Sequence, residues 1–392
     1  MIKRRHIIGL GLSQLICWGV SFYLIGIFGD LIMADLDWSR TTVHAGFSIA
    51  LLVMAVTSPM IGRTVDRIGG GPVMSAGSVL CAIGCAGLAT THSLATYYGA
   101  WVCLGVAMRC FLYDAAFAAL ARIVGPEARR PIAHITLLGG LATTCFWPIG
   151  HFLSEALGWR GALLVYAFLA LSTLPVYLTL PKNRHADSVD INDNHPELTF
   201  PNAGKEKLIY AFLYTVIIAL GNALNAGMSA HMISIMTELG LGAALAVSVA
   251  ALRGIGQSTA RLADTLFGRR VHPINLNLLA ATLVPLSFTI GLAGGGYPIA
   301  AAVFSFSYGG SYGLLTITRG TLPLVLFDYR TYGSFVGKLL VPSFILSAAA
   351  PFTFAYVIDD FGAVAALSLA ISIGMVIFAA SLALMMMKRH NK

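Results

Sequence analysis

The sequence predicts an all-α membrane protein in which twelve transmembrane helices form two six-helix halves. Only 11% of the 392 residues are charged and 57% are hydrophobic, whereas soluble domains average about 25% and 45–50%. The apolar residues gather into runs of about 20 residues, the length with which an α-helix crosses a bilayer. Helices are expected because the sequence lacks the alternating segments typical of a membrane β-barrel.

Twelve apolar runs are long enough to span a membrane. They cover residues 7–33, 41–61, 72–91, 95–121, 132–154, 161–180, 208–236, 243–266, 276–293, 297–318, 334–357 and 363–387. One long polar segment lies between the sixth and the seventh run. We therefore expect an N-terminal six-helix half at 1–180, a cytoplasmic linker at 181–207 and a C-terminal six-helix half at 208–392.

The distribution of lysine and arginine predicts the orientation of the chain, because cytoplasmic loops carry an excess of positive charge. With the N-terminus in the cytoplasm, nineteen of the 25 basic residues lie inside, and only Arg40 and Arg160 lie in outside loops. Both termini are then cytoplasmic, and we expect a multi-pass protein of the plasma membrane, the inner membrane of a bacterium. The net charge of +8 therefore reflects orientation, and no nucleic-acid partner is expected.

The sequence predicts neither a cofactor nor a metal site. All six cysteines lie in apolar runs of the first half, and we interpret Cys81 and Cys85, one helical turn apart, as small buried apolar residues. The glycine runs at 69–71 and 294–296 lack the lysine and the strand–loop–helix context of a phosphate-binding loop. We therefore expect no nucleotide, no other cofactor and no enzymatic activity.

A short polar pattern occurs once in each half. Arg63 and Asp66 lie at the end of one apolar run, and Arg261 and Asp264 repeat their spacing 198 residues later, again at the end of a run. This repetition indicates that the chain arose by duplication.

Prolines and glycines repeat at a similar offset. Pro148 and Pro351 lie inside corresponding runs, and Gly158 and Gly362 follow them. Together with Gly150, the first proline makes its run rich in helix-bending and small residues, which permit a kink and close helix packing. We interpret that run as a hinge or a packing face.

The loop that begins at Gly62 resembles a known family motif. Gly62, Asp66, Arg67 and Gly69 are similar to the loop between helices 2 and 3 of the major facilitator superfamily, although 70–71 are glycines where the family has basic residues. The resemblance covers nearly the whole chain and implies a twelve-helix transporter that works by alternating access. It also implies that the motif aspartate pairs across the cytoplasmic face. The expected gating residues are Asp66, Arg67, Asp264, Arg63 and Arg261.

A second, four-residue resemblance concerns the end of the first run. The sequence Asp37-Trp38-Ser39-Arg40 resembles the Gly-Trp-Ser-Arg ending found in the monocarboxylate and oxalate/formate branch of that superfamily, with aspartate in place of glycine.

Four cations fall inside the predicted spans. Arg261 and Lys338 are close enough to helix ends to extend to the interface, whereas Arg109 and Arg253 lie near the middle of their runs. A central arginine is costly in a membrane, so it is a candidate for a functional site. We expect both to line a water-filled cavity; the alternative is that each makes an internal ion pair or caps backbone carbonyls.

Asp114 is the carboxylate placed well inside a span. It is the candidate for proton coupling, and a structural pair with a neighbouring helix is the alternative. Pairing with Arg109 in the same helix is awkward, because five residues correspond to a rotation of about 140°.

Polar and aromatic residues lie at a similar depth and are candidates for substrate binding. Besides Arg109 and Arg253, they are Trp18, Tyr23, Tyr113, Asn222, Asn225, Gln257, Tyr308 and Tyr312. Packing or hydrogen bonding between helices is the alternative for each of them. We interpret His134, His151 and His231 as hydrogen-bonded residues without a role in transport.

Taken together, these features predict a secondary active transporter for a small, monocarboxylate-like organic anion. It would be a monomer in the lipid bilayer and would couple substrate movement to protons through Asp114. The alternative is efflux of drugs or siderophore-like metabolites, favoured by the aromatic content. A sensor or a channel is less well supported, since a sensor would need a large soluble output domain and the duplication favours two halves that rock against each other.

Overall fold

The computed structural model describes residues 2–182, 184–185, 204–268, 271–294 and 296–390. Across these ranges the regular structure is helical. The α-helices are α1 (Arg4–Cys17), α2 (Leu24–Leu36), α3 (Arg40–Ile68), α4 (Gly70–Ala89), α5 (Leu94–Phe111), α6 (Tyr113–Val124), α7 (Arg129–Gly139), α8 (Ala142–Leu171), α9 (Leu174–Leu178), α10 (Lys205–Glu238), α11 (Ala243–Phe267), α12 (Pro273–Gly294), α13 (Pro298–Leu326), α14 (Tyr332–Leu339) and α15 (Val341–His390). A π-helical turn, Trp18–Phe22, joins α1 to α2.

Serine side chains cap the N-termini of two helices, α3 and α5. Ser39 Oγ accepts a hydrogen bond from Thr42 N at 3.2 Å before α3, and Ser93 Oγ accepts one from Thr96 N at 3.3 Å before α5. The first amides of a helix have no acceptor within it, so such caps define where the helix starts.

Each of the twelve apolar runs coincides with helical structure, and the predicted all-α membrane fold is confirmed. Seven stretches of described residues are long and apolar enough to cross a membrane: Arg4–Leu36, Arg40–Ile68, Gly70–Ala89, Leu94–Leu178, Lys205–Glu238, Pro273–Gly294 and Tyr329–Arg389. Two of them contain more than one predicted run. Helices α11 and α13 match the runs at 243–266 and 297–318 but are not among the seven. Helix α11 contains Arg253, Gln257 and Arg261, and α13 is rich in glycine, serine and threonine.

The chain divides into two compact units. Unit 1 comprises Met1–Leu198 and Asp328–Val341, and unit 2 comprises Thr199–Phe327 and Pro342–Lys392. The short segment that contains α14 thus belongs to unit 1 although it comes late in the sequence. Most of the predicted linker at 181–207, and the basic pair at 269–270, lie outside the described residues.

Two helices are kinked at the glycines that repeat in the sequence. Gly158 interrupts α8 with a φ of 70°, and Gly362 interrupts α15 with a φ of 82°. Glycine suits both positions because a side chain disfavours positive φ.

Each kink is braced by an acidic residue. In unit 1, Asp35 Oδ2 accepts from Arg160 Nη2 at 3.1 Å. In unit 2, Glu238 Oε1 accepts from Ala363 N at 2.8 Å, just after the second kink. In both halves, an acidic side chain from a neighbouring helix bonds the first residues after the kink. The donor is an arginine side chain in unit 1 and a backbone amide in unit 2.

Candidate functional site

Two irregular helices meet in unit 1. The π-helical turn between α1 and α2 is closed by Tyr23 N, which donates to Trp18 O at 3.1 Å. The boundary between α5 and α6 lies at Leu112, whose extended backbone, with ψ of −175°, stops one helix and starts the next. Breaks of this kind are common at functional sites of membrane transport proteins.

A glutamine side chain completes the backbone hydrogen bonding at that break. The amides of Ala115 and Ala116 both donate to Leu112 O, at 3.1 and 3.2 Å. Phe111 O accepts instead from Gln14 Nε2 at 2.7 Å. A backbone carbonyl without a partner is costly at membrane depth, so Gln14 stabilises the interruption.

Aromatic rings lie at the meeting point of the two irregular helices. The ring centroid of Trp18 is 4.9 Å from that of Tyr113 and 6.0 Å from that of Tyr23. The hydroxyl of Tyr113 donates to Thr136 O at 3.2 Å. The indole Nε1 of Trp18 is buried and has no hydrogen-bond partner among the described residues. The structure thus brings together the three aromatic candidates of the first half.

Asp114 lies in the first turn of α6 and is only 8% exposed. A carboxylate at this position is stabilised by the helix dipole. The rotation of about 140° between Asp114 and Arg109 applies to one unbroken helix over 95–121. That expectation is wrong, because the helix is interrupted at Leu112. The break changes the direction of the chain between the two residues, which sequence periodicity did not reveal.

Arg109, near the end of α5, is only 2% exposed. Its Nε donates to Ser58 Oγ at 2.8 Å, and its Nη2 donates to Ser58 O at 3.3 Å. The same serine hydroxyl donates to Gly337 O of α14 at 2.7 Å. Arg109 therefore contributes to a buried junction of three helices, α3, α5 and α14.

Arg253, on α11 of unit 2, has a different environment. Its Nη2 donates to Asn225 Oδ1 and, at 2.9 Å, to Ser229 Oγ, both on α10. Its guanidinium carbon is 5.5 Å from the ring centroid of Tyr308 on α13. Among the described residues it makes no ion pair with a carboxylate. The positive charge is thus held by two neutral side chains of α10 and by an aromatic face of α13.

A second polar group joins residues of α10, α13 and α15. Tyr312 OH donates to Asn222 Oδ1 at 3.2 Å, and Asn222 Nδ2 donates to Ser343 Oγ at 2.7 Å. The backbone of Gln257, one turn after Arg253, lies against Gly313. The predicted residues of the second half thus fall on the adjoining helices α10, α11 and α13.

The expected gating residues differ in exposure. Asp66 accepts two backbone amides of α14, while Arg63 and Arg67 are exposed. In unit 2, Arg261 is 4% exposed and donates to Thr316 Oγ1 at 3.3 Å, and Asp264 is 9% exposed. A gating role stays a prediction for all five.

Sequence reasoning missed four polar residues: three serines that bond candidate side chains, and Gln14, which bonds the backbone at the helix break. Ser229 follows Asn225 by one helical turn and Gln14 precedes Trp18 by one turn, so a search for residues on the same helix face would have found both. Ser58 and Ser343 carry no such signal, because their partners lie far away in the sequence.

The sequence profile of one family matches residues 10–337, and its description is Major Facilitator Superfamily. The chain belongs to the Major Facilitator Superfamily. Membership of this family of transporters confirms the predicted family and the prediction that the chain is not an enzyme.

Relatives and solved structures of superfamily members agree with this assignment. The multidrug resistance protein MdtL of Shigella flexneri serotype 5b is 25% identical over 205 residues, 51% of this chain and 49% of that protein. The chain thus matches about half the length of such relatives. The human organic anion transporter MFSD10 (TETRAN) has a TM-score of 0.70 at 15% identity, covering 97% of this chain and 100% of that one. For FucP in its outward conformation the TM-score is 0.73 at 12% identity, with coverages of 97% and 99%.

Proposed function

We propose that this superfamily member is a secondary active transporter that moves a small, monocarboxylate-like organic anion across the plasma membrane by alternating access. Proton movement through Asp114 would drive the substrate. The protein would act as a monomer with both termini in the cytoplasm.

The surroundings of Arg253 carry this proposal. A cation at membrane depth is unfavourable unless water or an opposite charge compensates it, and its described partners Asn225, Ser229 and Tyr308 are neutral. A carboxylate substrate would supply the missing negative charge through a bidentate hydrogen bond. The half-exposed side chain leaves room for such a ligand.

The helix interruptions of unit 1 support a second part of the proposal. Trp18 offers a buried indole N–H without a described partner, and Tyr113 packs on it where two helices are irregular. Asp114 lies one residue beyond Tyr113, in a first helical turn. We propose that the aromatic residues contact the substrate and that the aspartate carries the proton.

The burial of Arg109 favours a different role for that residue. It is almost fully buried and donates a hydrogen bond to Ser58. These contacts favour a role in stabilising the junction of α3, α5 and α14 over direct contact with an anion. Of the two arginines, only Arg253 is therefore assigned to the substrate in this proposal.

The test is transport by the purified protein in proteoliposomes. A thermal-shift screen of small organic acids against lipophilic cations first selects ligands, and counterflow then identifies which of them are moved. Arg253→Gln should lower the affinity for the selected acid roughly ten- to hundred-fold, the loss expected for a charge-assisted hydrogen bond of about 1.5–3 kcal/mol. Arg253→Lys should retain part of it, because the charge survives while the fork is lost.

The matched control for the arginine variants is Arg389→Gln, which removes an exposed arginine at the end of α15. It should leave the affinity unchanged. Equal affinity of the parent and Arg253→Gln would contradict the organic-anion proposal.

Efflux of lipophilic compounds is the second candidate function. Similarity to MdtL and the aromatic group around Trp18 favour it, because aromatic faces bind flat apolar molecules and cations. A parent protein that responds only to lipophilic cations would support this candidate in place of the first.

A further inference from the structure

We propose that Tyr177 and Cys85 are positioning residues, which hold the π-helical turn of unit 1 and thereby fix the direction of the Trp18 ring. Neither residue is assigned to the substrate; both act through the turn Trp18–Phe22. The inference rests on the proposed contact between Trp18 and the substrate, because that contact requires the indole to keep one orientation.

The π-helical turn is a backbone conformation that needs support from its surroundings. Such turns are rare and occur mostly as single turns inside α-helices. Here Tyr23 N donates to Trp18 O, five residues back in place of the usual four. A return to regular α-helix would shift the register by one residue, which is a rotation of about 100° between the two ends of the turn. The rotation would change the direction of Trp18 relative to α2.

The thiol of Cys85 connects α4 to the middle of the turn. Cys85 Sγ donates to Val20 O at 3.6 Å, and both residues are fully buried. Backbone carbonyls at membrane depth need a donor. The thiol is a weak donor, but it is directed at the backbone of the turn itself.

The hydroxyl of Tyr177 connects α9 to the start of the turn. It is hydrogen-bonded to the Sγ atom of Cys17 at 3.2 Å, and Cys17 is the residue directly before Trp18. Both side chains are fully buried. This bond joins residues 160 positions apart, so it fixes the end of α1 against a distant part of unit 1.

Other contacts enclose the turn without determining its hydrogen-bond pattern. A Cβ added at Gly19 would overlap the ring of Phe146, so α8 lies directly against this residue. The indole ring of Trp18 is half-buried, and its centroid is 4.9 Å from that of Tyr113. Apolar packing has no preferred direction, whereas hydrogen bonds do. The bonds from Cys85 and Tyr177 are therefore the contacts that specify the geometry of the turn.

The experiment follows Trp18 by fluorine NMR in the full-length protein labelled with fluorotryptophan. The chain has five tryptophans, and the resonance that is missing from Trp18→Phe identifies Trp18. Tyr177→Phe removes the hydroxyl and keeps the ring. The matched control is Tyr97→Phe, because Tyr97 is also fully buried in unit 1 and its hydroxyl donates to Val43 O at 2.7 Å.

Tyr177→Phe should shift or split the Trp18 resonance. Tyr97→Phe should leave that resonance in place and change those of Trp38 and Trp101, whose rings adjoin Tyr97. A second pair of variants tests the thiol and keeps the test open if Tyr177→Phe does not fold. Cys85→Ala should shift the Trp18 resonance, and Cys85→Ser should shift it less, since the serine hydroxyl keeps a donor at this position.

Binding of pyruvate, a small monocarboxylate, measures the consequence for the substrate. Isothermal titration in detergent should show roughly tenfold weaker binding to Tyr177→Phe than to the parent, the loss expected for one hydrogen bond to the substrate. Tyr97→Phe should bind pyruvate like the parent.

Three results would overturn the inference. They are a Trp18 resonance that stays in place in both Tyr177→Phe and Cys85→Ala, a resonance that moves as far in Tyr97→Phe, and a moved resonance with unchanged affinity for pyruvate. A parent that does not bind pyruvate would count against the proposed substrate class alone. The fluorine resonances would still decide whether Tyr177 and Cys85 fix the direction of Trp18.

Discussion

Asp66 accepts a hydrogen bond from the backbone amide of Ser334 at 2.6 Å, across 268 positions of sequence. Its other carboxylate oxygen accepts from Gly333 N at 2.9 Å. The first amides of a helix have no partner inside it, and the helix dipole favours negative charge at that end. One side chain at the end of α3 therefore caps α14 and docks it in unit 1.

Asp66→Asn should loosen this contact, because the amide side chain keeps one acceptor oxygen but loses the charge. We expect slower transport at normal expression, and faster maleimide labelling of a cysteine introduced by Ser334→Cys in a cysteine-free background. Asp37→Asn is the control, since Asp37 is exposed and asparagine tolerates its left-handed backbone. Unchanged transport and labelling would show that Asp66 caps α14 without a gating role.

The close approach of α3 and α14 can be tested at Gly62. A Cβ added there would overlap the backbone carbonyl of Gly333, whereas a Cβ at Gly99 in α5 would meet nothing within 4 Å. Gly62→Ala should therefore lower the thermal stability, and Gly99→Ala should preserve it or raise the free energy of unfolding by up to about 1 kcal/mol. Similar melting temperatures for the two variants would show that α14 does not need this close contact.

Arg109 should behave as a structural residue. Ser58→Ala removes the hydroxyl that Arg109 Nε and Gly337 O share, and we expect a loss of about 1–3 kcal/mol in the free energy of unfolding. Arg109→Gln should destabilise the protein at least as much. The exposed Ser248 provides the control, because Ser248→Ala should change stability little. If Arg109→Gln were as stable as the parent but no longer bound the anion, Arg109 would be assigned to the substrate site and not to a structural role.

Asp114 is tested through the coupling of transport to protons. Asp114→Asn should abolish uptake driven by a pH gradient while preserving substrate exchange at equal pH, because the amide cannot carry a proton between the two sides. Glu127→Gln, at an exposed position, should leave both activities intact. Persistent gradient-driven uptake in Asp114→Asn would assign proton coupling to another group.

The orientation of the chain is tested by labelling from outside the cell. A cysteine at Ser93 should react with a membrane-impermeant reagent. One at Lys205 should react only after the membrane is permeabilised, because the excess of basic residues predicts that the latter loop is cytoplasmic. Reaction of both cysteines in intact cells would contradict the predicted topology.

Local sequence patterns were sufficient to predict the fold and to select candidate residues for a site. Apolar runs identified the helices, and Gly158 and Gly362, which repeat at a similar offset in the sequence, both have a positive φ. The rarity of charge inside the runs singled out Arg109 and Arg253, since any cation there needs a special environment. The same criterion could not distinguish the two residues, because it contains no information about their partners.

By itself the sequence determined the family and the helical membrane fold, and it predicted a duplication and a short group of candidate residues. These depend on composition, periodicity and short motifs, which act locally along the chain. Only the tertiary structure decided that Arg109 is hydrogen-bonded to Ser58 while Arg253 is hydrogen-bonded to Asn225 and Ser229. It also decided that the helix through Arg109 breaks at Leu112. The break is stabilised by Gln14, 97 residues from its acceptor Phe111. Contacts between residues so distant in sequence depend on how the helices pack, and no local pattern records them.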